Sequence, residues 1–82
     1  MTTYIATFFS HFGAIRFKKL CQKAGWTAQV MPVPRDLSSS CGTCVRYTGT
    51  ALCPDARMPE EVEQIVEITE NGYRCRHRAS DS

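Results

Sequence analysis

The sequence predicts an α+β fold of ferredoxin-like βαββαβ order, an antiparallel sheet with two helices on one face. Three observations lead there: two amphipathic stretches with a period near 3.6 residues, four short runs rich in β-branched and aromatic residues, and the order in which they alternate. A chain of 82 residues supports a single domain, because at this size only about 60 to 65% of the unfolded surface is buried around one core. The domain is expected to span residues 1–82, with an ordered core over about residues 3–78.

Residues 3–9 combine Tyr4, Ile5, Phe8 and Phe9 with threonines and read as a buried first strand. Ser10 is placed to cap a helix that runs to Ala24, where Gly25 supplies the left-handed stop. At 100° per residue, Gly13, Phe17, Leu20, Cys21 and Ala24 share one face, and Arg16, Lys19 and Lys23 the other. Phe12 and Ile15 fall outside the apolar stripe, as exposed margins or as part of a partner surface.

A second strand is expected over residues 26–33, ended by Pro32 and Pro34, which cannot donate to a ladder. After a serine-rich loop comes a third strand over residues 43–47, with Thr43, Val45 and Tyr47 on one face and Cys44 and Arg46 on the other. Pro59 suits the first turn of a second helix, Glu60, Glu61 and Glu63 suit its positive end, and Met58, Val62, Ile65, Val66 and Thr69 form its stripe. Asn71-Gly72 is read as its stop, and residues 73–78 as a half-exposed last strand that uses Cys75 as a core filler.

Ten basic and eight acidic side chains leave a net charge of +2, which gives no case for a nucleic-acid partner. No segment approaches the ~20 apolar residues of a membrane span. The five cysteines are odd in number and follow no signal-peptide pattern, so the expected setting is the reducing cytoplasm, where C-x-x-C signifies redox, sulfur or metal chemistry more often than a structural bridge.

The one C-x-x-C, Cys41 to Cys44, sits between the serine run and a strand. A thioredoxin-type motif opens a helix, so that reading is disfavoured. Cys41 is the candidate working thiol. Ser38, Ser39, Ser40 and Gly42 offer small side chains and backbone N–H groups for an anion-holding nest, and Arg35 and Arg46 are close enough in sequence to favour a thiolate. Cys44 is either a resolving thiol for Cys41 or a small core residue. Cys41, Cys44 and Cys53 form the alternative, a metal-binding or redox-sensing module, although the second ligand pair of a zinc site is missing. Cys53-Pro54 makes Cys53 the second candidate nucleophile. Cys21 reads as a core filler, and His11 as a surface or capping residue.

The string Pro32-Val33-Pro34-Arg35-Asp36-Leu37-Ser38-Ser39-Ser40-Cys41-Gly42 resembles the P-x-P-R-x-[IL]-S-S-S-C-G signature of the small Se/S carrier-like family. The aromatic first strand, the Ala24-Gly25 helix end, Arg46-Tyr47 and the glutamate-rich stretch extend the resemblance along most of the chain. It implies a bacterial cytoplasmic domain that carries sulfur or selenium on the signature cysteine, Cys41. That is a carrier rather than an enzyme, without a cofactor, served by a donor such as a cysteine desulfurase and emptied by an acceptor protein. Cys44, the long connection over residues 48–58 and the arginine-rich end depart from the pattern.

Overall fold

The computed structural model describes residues 1–37, 39, 41–55 and 58–79. The elements run β1 (Thr2–Phe8), α1 (His11–Lys23), β2 (Thr27–Pro32), β3 (Thr43–Gly49), β4 (Val62–Thr69) and β5 (Gly72–Arg78). The five strands form one sheet in the order β2-β3-β1-β4-β5, and every neighbouring pair is antiparallel. β1 is central, which its composition allows, since both faces of residues 4–8 are buried.

The first four elements arise for the reasons read in the sequence. Ser10 takes an extended backbone and its Oγ accepts the Gly13 N–H at 3.3 Å, capping α1. Gly25 at φ +83° turns the chain out of the helix, and the Trp26 N–H returns to the Cys21 carbonyl at 2.9 Å. β1 and β2 are both antiparallel to β3, which lies between them, and α1 covers one face of that trio.

The expected second helix is β4 instead, so the two-helix ferredoxin-like arrangement is replaced by a five-stranded sheet with α1 on one face. The helical reading failed at a β-bulge. Phe8 pairs with Val62 but Thr7 with Gln64, so Glu63 is an extra residue and the strand shifts phase there. Val62 and Ile65 consequently face α1 together at a spacing of three, which mimics one face of a helix. Val66 is buried on the other side with Ile5. Five of the eight residues in β4 are β-branched, a preference for strand that the spacing argument overrode. Asn71-Gly72 is no helix stop but part of a hairpin turn, with Thr69 paired to Gly72, and Pro59 heads a turn whose carbonyl accepts the Val62 N–H at 3.2 Å.

The main core lies between the sheet and α1. Tyr4, Ala6 and Phe8 of β1, Ala14, Phe17 and Cys21 of α1, Val45 and Tyr47 of β3, and Val62 and Ile65 of β4 are all buried there. Tyr47 is its centre: its ring meets Tyr4 at 5.3 Å, Phe17 at 5.0 Å and Trp26 at 6.1 Å, and its hydroxyl donates to the Leu52 carbonyl. Each such large side chain contributes about 1.5–3 kcal/mol by leaving water. Gly13 lets α1 approach the chain entering β4, since a methyl group on it would lie 2.4 Å from the Glu61 Cβ.

The opposite sheet face carries a smaller cluster of Ile5, Cys44 and Val66, against which Met31, Val33, Leu37 and Ile68 pack. Part of the β2–β3 connection therefore covers the sheet face opposite α1. Cys75, expected in the core, is exposed on the edge strand β5. Among the described residues no helix is long and apolar enough to cross a membrane.

Candidate functional site at the Cys41 loop

The β2–β3 ladder continues one pair past Pro32 and Thr43, where the Val33 N–H donates to the Gly42 carbonyl at 3.1 Å. Gly42 then leaves the ladder at φ +72°, a left-handed conformation that L side chains adopt at a cost. Residues 33–42 thus form a loop closed at its neck. A turn follows, with the Leu37 N–H donating to the Pro34 carbonyl at 3.0 Å. Leu37 tucks under the sheet against the Cys44 cluster, and the Asp36 carboxylate is near enough to β5 to add to desolvation in raising the Tyr73 hydroxyl.

The second half of the loop grips the β1–α1 junction. The Ser39 hydroxyl donates to the Phe8 carbonyl at 3.3 Å and accepts the Cys41 N–H at 3.4 Å. Thr43 Oγ1 and His11 Nδ1 are hydrogen-bonded at 2.6 Å. Between these two braces sits Cys41, half-exposed, packed against the helix-side cluster, its Sγ donating to the Thr43 carbonyl at 3.5 Å. The thiol is presented at the junction that leads into the positive end of α1.

Three of the other cysteines are disfavoured as thiolates. Burial pushes the Cys21 thiol up to about 12, with the neighbouring Cys53 adding to the effect. Burial pushes Cys44 up to about 11, with Cys41 a secondary cause, and Cys53 is also raised, mainly by burial. A thiol held at about 11 is almost wholly protonated at neutral pH and is a poor nucleophile there.

The structure brings together only part of the expected constellation. Ser39, Cys41 and Gly42 share the loop as expected, while Ser38 and Ser40 lie outside the described residues. The Cys41 amide is engaged by Ser39 rather than left free for an anion nest. Cys44 is fully buried, and its Sγ donates to the Pro32 carbonyl at 3.6 Å. The C-x-x-C pair is therefore divided, Cys41 packing on the helix side and Cys44 on the other. Arg46 lies on the Cys44 side of β3, in register with Ile5 and Gln29, and Arg35 is in the exposed turn. Cys53 packs on the helix-side core. Among the described residues no three His, Cys, Asp or Glu side chains are grouped to hold a metal ion, and Cys41, Cys44 and Cys53 are not gathered in one place.

His11 is the site residue that the sequence reading assigned to the surface. Its position next to the cap Ser10 was legible, but its partner Thr43 is 32 residues away, and only the pairing of β3 beside β1 brings them together.

The family model described as "Putative Se/S carrier protein-like" matches residues 3–74. The chain is 35% identical over 74 residues to the uncharacterized protein YtiA of Escherichia coli (strain K12), an alignment covering 89% of this chain and 79% of that protein. No solved structure matches the chain.

Proposed function

The chain belongs to the Se/S carrier-like family, and on that premise we propose that Cys41 is its carrier thiol, holding sulfane sulfur or selenium between a donor and an acceptor protein. The observation that carries this reading is the placement of Cys41: half-exposed in a loop braced on both sides by Ser39–Phe8 and Thr43–His11, whereas Cys21 and Cys44 are buried and disfavoured as thiolates.

Loading is an exchange at sulfur. The Cys41 thiolate attacks the outer sulfur of a donor persulfide, R–S–SH. The bond between the donor's two sulfurs breaks as the Cys41 S–S bond forms, giving Cys41–S–SH and R–SH, with the Cys41 proton passing to the leaving thiolate. No net oxidation occurs and no cofactor is required. Unloading is the same exchange with an acceptor thiol, and selenium takes the place of the outer sulfur in the selenium version. In this reading the braces position the thiol, Cys44 belongs to the core and does not resolve the adduct, and the protein is a cytoplasmic carrier.

The test is intact-mass analysis after incubation with a cysteine desulfurase and cysteine, and separately with the desulfurase and selenocysteine, which leaves selenium on the donor at the oxidation level of a persulfide's outer atom. The wild type is expected to gain one sulfur or selenium, and Cys41→Ser none. Equal adducts on both proteins would remove Cys41 from the role.

A further inference from the structure

The junction that the Cys41 loop grips also carries exposed apolar side chains. Phe12 is 78% exposed, and Phe9 and Ile15 are each 48% exposed. Phe9 and Phe12 are immediate neighbours of the two brace points, since Phe9 follows Phe8, whose carbonyl holds Ser39, and Phe12 follows His11, which holds Thr43; Ile15 shares a helix face with Phe12. Large aromatics left in water beside a working thiol are poorly explained by the fold, because α1 already buries Phe17 and Cys21 on its opposite face. A single exposed apolar residue is ordinary; three gathered at the entry to α1 form a surface.

The charge that α1 itself carries has one sign. α1 contains no Asp or Glu, and it carries Arg16, Lys18, Lys19 and Lys23. Arg16 is paired with Glu61 at 2.7 Å, while Lys19 and Lys23 are exposed on the face that Phe12 and Ile15 share. A second copy of this chain docked symmetrically through α1 would bring these lysines towards one another. An anionic lipid surface would meet the lysines, but only three apolar anchors at one end of a helix otherwise committed to its own core. A protein with an apolar socket and a carboxylate rim satisfies both features, and a persulfide held on such a protein must approach Cys41 across this same junction.

We infer that Phe9, Phe12 and Ile15, with Lys19 behind them, form the docking surface for the protein that presents a persulfide to Cys41, and that this partner offers an apolar socket rimmed by carboxylates. The inference rests on Cys41 being the carrier thiol. It extends that reading from the reacting atom to the surface that brings a donor to it.

The experiment compares two donors, with intact mass as the readout: a cysteine desulfurase carrying its persulfide, and glutathione persulfide, which is too small to use the surface. The proteins are the wild type, Phe12→Ser/Ile15→Ser and Lys19→Glu. With desulfurase, the double variant is expected to need about tenfold more donor for half-maximal loading. Lys19→Glu is expected to load several-fold more slowly at low salt and to lose the salt dependence of the wild type. With glutathione persulfide, all three are expected to load alike, and urea unfolding of the variants should match the wild type because the substituted side chains are exposed.

Equal loading of all three proteins by the desulfurase overturns the docking surface and leaves Cys41 as carrier intact. The same holds if glutathione persulfide loads the wild type and the desulfurase does not, or if the double variant slows with both donors. Sedimentation showing a wild-type dimer that the double variant disperses assigns the surface to self-association, and flotation of the wild type alone with phosphatidylserine vesicles assigns it to lipid; either result overturns the inference. If neither donor loads the wild type at Cys41, the carrier reading itself fails and the inference falls with it.

Discussion

His11 Nδ1 and Thr43 Oγ1 lie 2.6 Å apart, so the first residue of α1 and the first residue of β3 are tied together next to Cys41. The bond is at the surface, and such a bond contributes about 0.5–1.5 kcal/mol net. Its consequence should therefore be local. Thr43→Val keeps the β-branched shape and removes the bond. We expect a loss of no more than about 1 kcal/mol in urea unfolding, faster amide exchange over residues 39–43, and slower loading of Cys41 from glutathione persulfide. Unchanged exchange in the loop would show that this bond does not hold it.

Gly42 should tolerate no ordinary side chain without cost, and for a conformational reason alone. A methyl group at this position meets nothing within 4 Å, yet the backbone sits at φ +72°. Gly42→Ala is expected to cost about 1–2 kcal/mol, and Gly42→Asn less, since Asn accepts the left-handed region more readily. Urea midpoints of the three proteins check this; an alanine variant as stable as the wild type would contradict it.

At Gly13 the opposite logic applies, because space decides. Alanine raises helix propensity by about 1 kcal/mol over glycine, but its Cβ would stand 2.4 Å from the Glu61 Cβ. That atom belongs to the base of a side chain and cannot swing aside, so α1 and the entry to β4 must part, at about 1–3 kcal/mol. Gly13→Ala should therefore be destabilised in urea. A stabilised variant would mean that helix and strand separate freely.

The buried thiols should make the fold sensitive to alkali. Cys21 and Cys44 are held at about 12 and about 11 in the folded protein, against an ordinary 9.0. A raised pKa means that the folded state keeps a proton the unfolded chain gives up. Their contribution is whole below about pH 9 and is lost as pH rises through the folded values, the unfolded state binding fewer protons in that window. Stability measured by urea should fall between about pH 9 and 11. Cys44→Ala, weaker at pH 7 for lack of packing, should lose less over that interval. A Cys44→Ala curve parallel to that of the wild type would contradict the burial of this thiol.

The same substitution tests the fate of the carried atom. With Cys44 in the core and Cys41 on the helix side, the lifetime of the Cys41 adduct, followed by intact mass at pH 7, should be the same in Cys44→Ala and wild type. A longer lifetime in the variant would make Cys44 a resolving thiol.

Local chemistry accounts for what the chain made legible before any contact was seen. The Ser10 cap, the Gly25 stop, the prolines that end β2 and the alternation of Val45 and Tyr47 against Cys44 and Arg46 each depend on neighbours within a few residues. So does the Pro32 to Gly42 signature that points to Cys41. β4 was misread because its decisive feature is not local in that sense. The extra residue Glu63 is a bulge only because Thr7 and Phe8 pair with Gln64 and Val62, and it gives a strand the apolar spacing of a helix.

The sequence by itself determined the presence of β1, α1, β2, β3 and β5 and the candidate thiol, since periodicity, capping and a short motif encode these directly. Only the tertiary structure decided how they serve a site. It replaced the second helix with β4, laid Val33 and Leu37 under the sheet, sent Cys44 inward and left Cys41 at the surface, and brought His11 and Phe8 to the loop. The reason is the pairing of β1 with both β3 and β4. It sets which residues share a face and which loops meet, through contacts between parts of the chain 30 or more residues apart that no local pattern records.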